Sequence, residues 1–283
     1  MTSSTTDPFG DYVPFSDPED DHHEQLANSD FADSGTSGTP MVPSTKYQQA
    51  DAGKNKWERY LMTGDHLDQL HLEPLQWVVD GMIPEGLTML AAPPKMGKSW
   101  FVMDIALAVA SGGKALSGID VGPARPVLHL SLEDSKRRLK QRAKQLLGDE
   151  QLPPMWTSVV TLPPNEAVPL IDYFLTKHDG QRPLVIVDVF TKAAAVPAGK
   201  AEGYRADYRM MEPWKALCES HPGAGIILVH HTRKMASEDR LDLVSGTNGI
   251  AGSCDTIMLL SRERESADGT LYVTGRDTEE SAY

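Results

Sequence analysis

Short apolar runs alternate with amphipathic stretches along the chain from about residue 87, which is the rhythm of β–α–β units. The apolar runs predict strands at Leu87–Ala91, Val127–Leu132, Val159–Leu162, Leu184–Asp188 and Gly225–His230. The amphipathic stretches predict helices at Ser99–Ala110, Ser135–Leu147, Leu170–Lys177 and Asp207–Glu219. Because strands joined by helices pair in parallel, the pattern predicts an α/β fold with a mostly parallel sheet flanked by helices.

The two ends of this pattern differ from its middle. Thr256–Leu260 and Thr270–Thr274 are apolar runs so closely spaced that they predict an antiparallel β-hairpin near the C-terminus. At the other end, apolar residues recur at roughly helical spacing from Trp57 to Leu70, and the extended segment Gln76–Val79 follows. We therefore predict one ordered domain over residues 56–283, since a single α/β domain often exceeds about 200 residues.

Residues 1–55 are rich in Ser, Thr, Asp, Gly and Pro and hold too few apolar residues to offset the entropy of ordering. We predict that they form a disordered N-terminal tail. The tail carries ten acidic and two basic side chains, so it accounts for −8 of the formal net charge of −13. Its acidic cluster, Asp17–Asp21, either attracts a basic protein partner or keeps the segment soluble.

The remaining composition excludes few classes of function. The rest of the chain has a net charge of −5, which is unlike a dedicated duplex-DNA binder but compatible with a local basic channel. Cys218 and Cys254 lack the spacing of a disulfide framework or a zinc site. No apolar stretch approaches the roughly 20 residues that span a bilayer. We therefore expect a soluble, cytoplasmic protein.

A phosphate-binding loop of the Walker A type is predicted at residues 92–99, between a strand and a helix. The segment fits the pattern except at its first position, where Ala92 replaces the usual Gly. In such a loop Gly97 lets the backbone approach phosphate oxygens, Lys98 carries positive charge to the β- and γ-phosphates, and the Ser99 hydroxyl completes the Mg²⁺ shell. We predict that ATP with Mg²⁺ contacts the loop and the residue after it: Ala92, Pro93, Pro94, Lys95, Met96, Gly97, Lys98, Ser99 and Trp100.

Two carboxylates are candidates for the rest of a hydrolytic site. The strand Leu184–Asp188 is a Walker B pattern, and Asp188 is expected to hold Mg²⁺ through water, together with Ser99. No Glu follows Asp188, so the base that activates water must come from elsewhere. Glu133 ends another strand at the carboxyl edge, where parallel sheets bind ligands, and is the predicted general base. A structural role for Glu133 is the alternative, and Asp134 is placed to cap the next helix.

A third strand end carries a pair of histidines. His230 and His231 close the strand that begins at Gly225, and they precede Thr232. A polar side chain at this place can sense the γ-phosphate and move the loop that follows. We therefore predict that one histidine is a sensor and that the other is a surface residue. Neither has Cys, Asp or Glu partners at the spacing that a zinc site requires.

Five motifs in this order resemble those of the RecA-like ATPases, and most closely the RepA/DnaB-type hexameric helicase branch, an AAA_25-like domain. The motifs are residues 92–99, Leu130–Asp134, Val185–Asp188, His230–Lys234 and Ser245–Gly249. The resemblance covers about residues 77–280. It implies a RecA-like P-loop NTPase fold, a ring of subunits, a catalytic glutamate at Glu133, and a sensor at His230 or His231.

The resemblance also implies contacts beyond one subunit. Family members place two mobile loops toward a central channel that binds single-stranded DNA, and about residues 192–205 and 233–248 match them here. Ordinary surface loops are the alternative, since the second stretch holds as many acidic as basic residues. A basic finger from the neighbouring subunit completes the site by neutralising charge during phosphoryl transfer. Arg276 matches that element, with Arg262 and Arg264 as rivals, and a salt bridge from Arg276 to Asp277 is the structural alternative.

Together these inferences predict an ATP-hydrolysing RecA-fold protein that acts in DNA replication or recombination, as a RepA-like ring helicase or a DNA-stimulated ATPase. The alternative is a nucleotide-dependent assembly module with little hydrolysis, which Ala92 and the missing Glu after Asp188 favour. A P-loop small-molecule kinase is disfavoured because the sequence shows no Arg-rich lid.

Overall fold

A computed structural model describes residues 57–194, 204–232, 248–262 and 268–283. The predicted acidic tail, residues 1–55, lies outside the described residues. So do the middle of the first predicted DNA loop and most of the second.

The strands and α-helices of the described residues follow in chain order. The strands are β1 (Trp77–Val79), β2 (Ile83–Pro84), β3 (Gly86–Ala92), β4 (Lys114–Ala115), β5 (Ile119–Asp120), β6 (Val127–Ser131), β7 (Trp156–Val159), β8 (Leu184–Asp188), β9 (Gly225–His231), β10 (Thr256–Arg262), β11 (Gly269–Gly275) and β12 (Ser281–Ala282). The helices are α1 (Gly64–Gln69), α2 (Lys98–Ser111), α3 (Lys136–Leu147), α4 (Ala167–Lys177), α5 (Phe190–Ala193), α6 (Tyr204–Ser220) and α7 (Asn248–Gly252).

One eight-stranded sheet organises residues 71–283, in the order β12-β11-β10-β3-β9-β8-β6-β7. The six strands from β10 to β7 are mutually parallel, whereas β11 and β12 are antiparallel to their neighbours. The predicted mostly parallel sheet is therefore confirmed. The predicted C-terminal hairpin is also confirmed as β10 and β11, which pair from Thr256 with Gly275 to Arg262 with Gly269.

Helices cover both faces of this sheet, which is why its central strands are apolar on both sides. Alternate residues of a strand point to opposite faces. On β3, Leu90 packs in the cluster that contains α2, whereas Met89 packs in the cluster that contains α4 and α6. On the second face, the rings of Phe190 and Trp214 meet edge to face at 5.5 Å. The same alternation decides which face each side chain at a strand end can reach.

One predicted strand is displaced. The apolar run Val159–Leu162 predicted a strand, but the strand in the structure is β7, which ends where that run begins. The reason is the pairing with β6, which joins Val127 to Trp156 and Leu130 to Val159. Long-range pairing has outweighed the local apolar pattern at this edge of the sheet.

Residues 57–70 form a separate unit with little burial. It contains a 3₁₀ turn at Glu58–Tyr60 and the short helix α1, none of whose side chains is buried. No helix in the described part of the chain is long and apolar enough to cross a membrane.

Candidate nucleotide-binding and hydrolysis site

The carboxyl ends of the parallel strands meet at one edge of the sheet, and most of the predicted site residues lie there. β3 ends at Ala92, which pairs with His231 at the end of β9. β6 ends at Ser131, which pairs with Asp188 at the end of β8. Crevices at this edge are the usual ligand sites of parallel α/β sheets. The geometry thus brings the predicted phosphate loop, metal ligand, base and sensor into one neighbourhood.

The predicted phosphate loop connects β3 to α2 and has two residues with left-handed backbone. Gly97, with φ of 99°, is the residue before the first turn of α2, and Lys95 has φ of 68°. The N–H groups of Trp100 and Phe101 both donate to the Gly97 carbonyl. The N–H groups before Trp100, at the start of α2, come too early in the helix to have intrahelical acceptors, and they carry the positive end of the helix dipole. The loop therefore presents backbone donors to an anion at the start of α2.

The Lys98 ammonium contacts several groups of the site and is buried, with 5% of the residue exposed. It donates to the carbonyls of Ala92 at 2.7 Å and Pro93 at 3.0 Å, and it lies 3.0 Å from His231 Nδ1. Burial lowers the pKa of Lys98 to about 8, against the raising effect of Asp188 and Glu133. Lys98 is therefore still mostly protonated at neutral pH. Its present hydrogen-bond acceptors are neutral, so an anionic ligand can replace them as a stronger partner.

Ser99 and Asp188 form the oxygen pair that fits a Mg²⁺ ion. Asp188 is 5% exposed, and burial raises its pKa, while a side-chain hydrogen bond with Ser99 works in the opposite direction. A hydroxyl beside a carboxylate is the hard oxygen donor set that Mg²⁺ prefers, and a cation would hold the carboxylate ionised. The residues present therefore fit the metal that the sequence predicts, with Ser99 and Asp188 as the groups that would hold it.

Glu133 stands two residues beyond the end of β6, and its side chain is 48% exposed. Its segment is fixed by the backbone of Leu132, whose N–H donates to the Asp188 carbonyl at 2.7 Å. The Leu132 carbonyl in turn accepts from Lys192 Nζ at 3.1 Å. Lys192 belongs to α5, directly after the Walker B strand. Glu133 is thus held beside Asp188 while its carboxylate stays open to water.

Asp134, in contrast, is engaged by two arginines and does not cap α3. Ser135 caps the helix by accepting from the Arg138 N–H, so the expected capping role of Asp134 is wrong. One Asp134 oxygen accepts from the Arg138 guanidinium at 3.3 Å, and the other accepts from Arg142. Arg142 also lies over the ring of Trp100, 5.5 Å from its centroid. The spacing of four and eight residues from Asp134 could have revealed its pairing with Arg138 and Arg142, whereas nothing local in the sequence indicates the contact of Arg142 with Trp100.

The two histidines of β9 point to opposite faces. His231 shares the α2 face with Val229, and its Nε2 lies 3.9 Å from Glu133 Oε2. Because Lys98 donates to Nδ1, His231 is the neutral tautomer with its proton on Nε2, facing that carboxylate. His230 packs against the Phe190 ring on the other face, 6.2 Å between centroids. Burial, with His231 and Lys98, lowers its pKa to about 4, so His230 is a partly buried, neutral residue.

The candidate finger residues lie at opposite edges of the sheet. Arg262, at the end of β10, donates to the Lys95 carbonyl of its own phosphate loop at 3.2 Å. Arg276 follows β11 at the amino edge, where it donates to the Gly252 carbonyl at 3.3 Å and lies 3.6 Å from Asp255. Its ion pair is therefore with Asp255 and not with the expected Asp277. Arg276 does not reach its own site, so a finger role in a neighbour's site stays a prediction, and Arg264 lies outside the described residues.

Comparison with known proteins agrees with the fold described above. The AAA_25 family model, described as an AAA domain, matches residues 58–237. A solved ATPase domain superposes with a TM-score of 0.50 at 14% identity, over 70% of this chain and 80% of its own. A DnaB-like replicative helicase, solved to show its interactions with primase, superposes with a TM-score of 0.53 at 15% identity, over 70% of this chain and 54% of its own. No curated protein matches the sequence.

Proposed function

The chain belongs to the AAA_25 family of AAA domains and has the RecA-like P-loop ATPase fold, and from that premise we propose that it hydrolyses ATP to act on DNA. The observation that carries the proposal is the cluster around Lys98. A buried ammonium, a carboxylate beside a hydroxyl, a half-exposed carboxylate and a neutral histidine lie close together at one edge of the sheet. Each of these groups has a task in phosphoryl transfer to water.

Lys98 binds the nucleotide by exchanging its partners. An ammonium has three N–H donors, and those of Lys98 are directed to the Ala92 and Pro93 carbonyls and to His231. Phosphate oxygens are charged acceptors and form stronger hydrogen bonds with an ammonium than neutral acceptors do. Binding of a triphosphate therefore releases His231 from Lys98. This exchange gives His231 two states that depend on the nucleotide, which is what a sensor requires.

Glu133 is the carboxylate best suited to activate water. Its side chain is half exposed, whereas Asp188 is buried against Ser99 and both oxygens of Asp134 are bound by arginines. A general base must reach both solvent and the reacting phosphate. When bound to Ser99 and Asp188, Mg²⁺ would neutralise charge on the phosphates. Glu133, Lys98 and His231 are the catalytic groups of the proposal, and Arg276 is its finger for a neighbouring subunit.

The DNA half of the proposal rests on the kinds of protein that share this fold. One superposed structure is a DnaB-like replicative helicase, and the chain spans about half of it. We propose a hexameric ring that binds single-stranded DNA through the loops at about residues 192–205 and 233–248.

Light scattering tests the ring: we expect six copies of the 31.0 kDa chain with a non-hydrolysable ATP analogue. A monomer with and without the analogue would exclude it.

Replacement of His231 is expected to uncouple ATP binding from hydrolysis. His231→Ala removes the released imidazole that would contact the phosphate and the neighbour of Glu133, so kcat should fall on the order of tenfold, as for one hydrogen bond lost in the nucleotide-bound state. The Kd of ATP should change little, because Lys98 keeps its loop carbonyls and its charge. His230→Phe is the matched control, since His230 packs on Phe190 in the opposite face. Equal kcat values for the two variants would refute the sensor assignment.

ATP binding is expected to weaken as the pH rises above about 8, the pKa of Lys98. Below that pH the free protein holds the charged ammonium that phosphate binds. Above it Lys98 loses its proton, and binding must restore the charge, so the Kd should rise toward tenfold per pH unit. Isothermal titration in buffers of different ionisation enthalpy measures both the Kd and the proton uptake. Lys98→Met is the control and should show neither the pH dependence nor the proton uptake. A wild-type Kd that stays constant up to pH 9.5, about 1.5 units above the pKa of Lys98, would contradict the prediction.

A further inference from the structure

Helix α3 carries a concentration of positive charge that is unusual for this acidic chain. Its twelve residues include six basic and no acidic side chains, in a protein with a net charge of −13. The helix is about 18 Å long, and the Debye length at physiological salt is about 8 Å. Distant acidic groups are therefore screened from a ligand that lies on α3, and the local charge decides what binds.

Three of these cations have no structural partner in the described ranges. Arg138 and Arg142 bind Asp134, and Lys144 donates to the Glu150 carbonyl. Lys136, Arg137 and Lys140 are exposed, and no described carboxylate pairs with them. We refer to these three residues as the α3 cations.

Helix stability does not explain the α3 cations. Lys136 and Arg137 occupy the first turn, where positive charge opposes the helix dipole, and that turn holds no acidic residue. Lys136 and Lys140 are four residues apart, a spacing at which like charges repel on a helix surface. The local energetics favour other residues at these positions, so the charges point to an anionic ligand.

A groove lies beside this charge, between α3 and the edge strand β7. It has a volume of about 470 Å³. Its lining combines the two lysines of the α3 cations with apolar and hydroxyl side chains, and it includes no acidic residue: Lys136, Leu139, Lys140, Leu152, Trp156, Ser158, Val159, Val160 and Thr161. The groove is therefore amphipathic and uniformly positive.

We propose that the α3 cations and this groove bind the phosphate backbone of single-stranded nucleic acid. Uniform charge and hydroxyl donors suit a ligand whose anionic groups repeat regularly. Trp156 packs against His129 with its indole nitrogen buried, so it is not an open platform for base stacking. Binding is therefore sequence-independent. The inference rests on the proposed action on DNA and adds a surface outside the two predicted DNA loops.

The test compares two triple variants that remove the same charge. Lys136→Gln, Arg137→Gln and Lys140→Gln neutralise the α3 cations, whereas Lys114→Gln, Lys177→Gln and Arg182→Gln remove three exposed charges that lie outside α3. Affinity for labelled oligothymidylate is measured by anisotropy at several salt concentrations. The first variant should reduce the slope of log affinity against log salt by about 2, since each single-strand phosphate contact contributes about 0.7. The second variant should match the wild type, and both should keep the wild-type melting temperature and basal ATP turnover.

The outcomes separate this inference from the proposed function. If the wild type binds the oligonucleotide and both variants show its slope, α3 is not the site and only this inference fails. If the wild type does not bind at any salt concentration, the proposed action on DNA fails as well. Poly-glutamate provides the remaining comparison. If the α3 variant loses affinity for poly-glutamate but keeps its affinity for the oligonucleotide, the partner is an acidic protein segment and the proposal is overturned.

Discussion

The Glu133→Gln protein should bind ATP as the wild type does and hydrolyse it about 10²- to 10⁴-fold more slowly, the range for loss of a general base. The amide keeps the size of the side chain but cannot accept a proton from water. The other nearby carboxylates cannot replace it, because Asp188 is buried beside Ser99 and Asp134 is bound by Arg138 and Arg142. Phosphate release gives kcat, and titration with a fluorescent ATP analogue gives the Kd.

Glu166→Gln is the matched control for this variant. Glu166 is exposed at the start of α4, and its side chain makes no capping hydrogen bond, so its turnover should equal that of the wild type. If Glu133→Gln turns over ATP at the wild-type rate while it binds ATP normally, Glu133 is not the base. The exposed carboxylate beside His231 would then be structural.

The second large effect is expected from Lys98→Ala. Lys98 is buried, and its ammonium is the charge that phosphate would bind, so its loss should weaken ATP binding by about 10- to 100-fold, as for a lost charge-assisted hydrogen bond. Hydrolysis should fall further, by about 10²- to 10³-fold in kcat, because the transition state loses an electrostatic partner. Binding by titration and turnover at saturating ATP measure the two effects separately.

Two control variants distinguish a loss of ATP binding from a loss of folding. Lys98→Met keeps most of the side-chain volume in the buried position, so it should melt like the wild type and still lose ATP affinity. Lys114→Ala removes an exposed lysine in β4 and should bind ATP normally. If Lys98→Met binds ATP with wild-type affinity, the loop at residues 92–99 is not the phosphate site.

The core of the fold was predictable because its strands are buried on both faces. A strand covered on both sides must be apolar throughout, and the run Leu184–Asp188 has the same bounds in the sequence prediction and in the structure. The edge strand β7 is only half covered, so its position depends on pairing with β6 and not on its own apolar pattern. Local sequence contains no information on that pairing.

Some site residues follow from local sequence motifs, whereas others depend on how the strands pair. The phosphate loop and Asp188 follow from motifs in which a short segment carries its own chemistry. The choice between His230 and His231 requires the face on which α2 packs, and this follows from the register of β9 with β3. Arg262 was predicted only as a rival finger, because its contact with Lys95 depends on the pairing of β10 with β3. The contacts that depend on pairing between strands are therefore the part of the site that the sequence alone could not predict.

The central claim is that this fold hydrolyses ATP. The most direct measurement is steady-state phosphate release by the purified wild-type protein with Mg²⁺ and saturating ATP, with and without single-stranded DNA, beside Glu133→Gln. We predict turnover that the variant lacks and that single-stranded DNA increases. ATP binding by the wild type without phosphate release, in the presence or absence of DNA, would contradict the claim and identify the protein as a nucleotide-dependent assembly module.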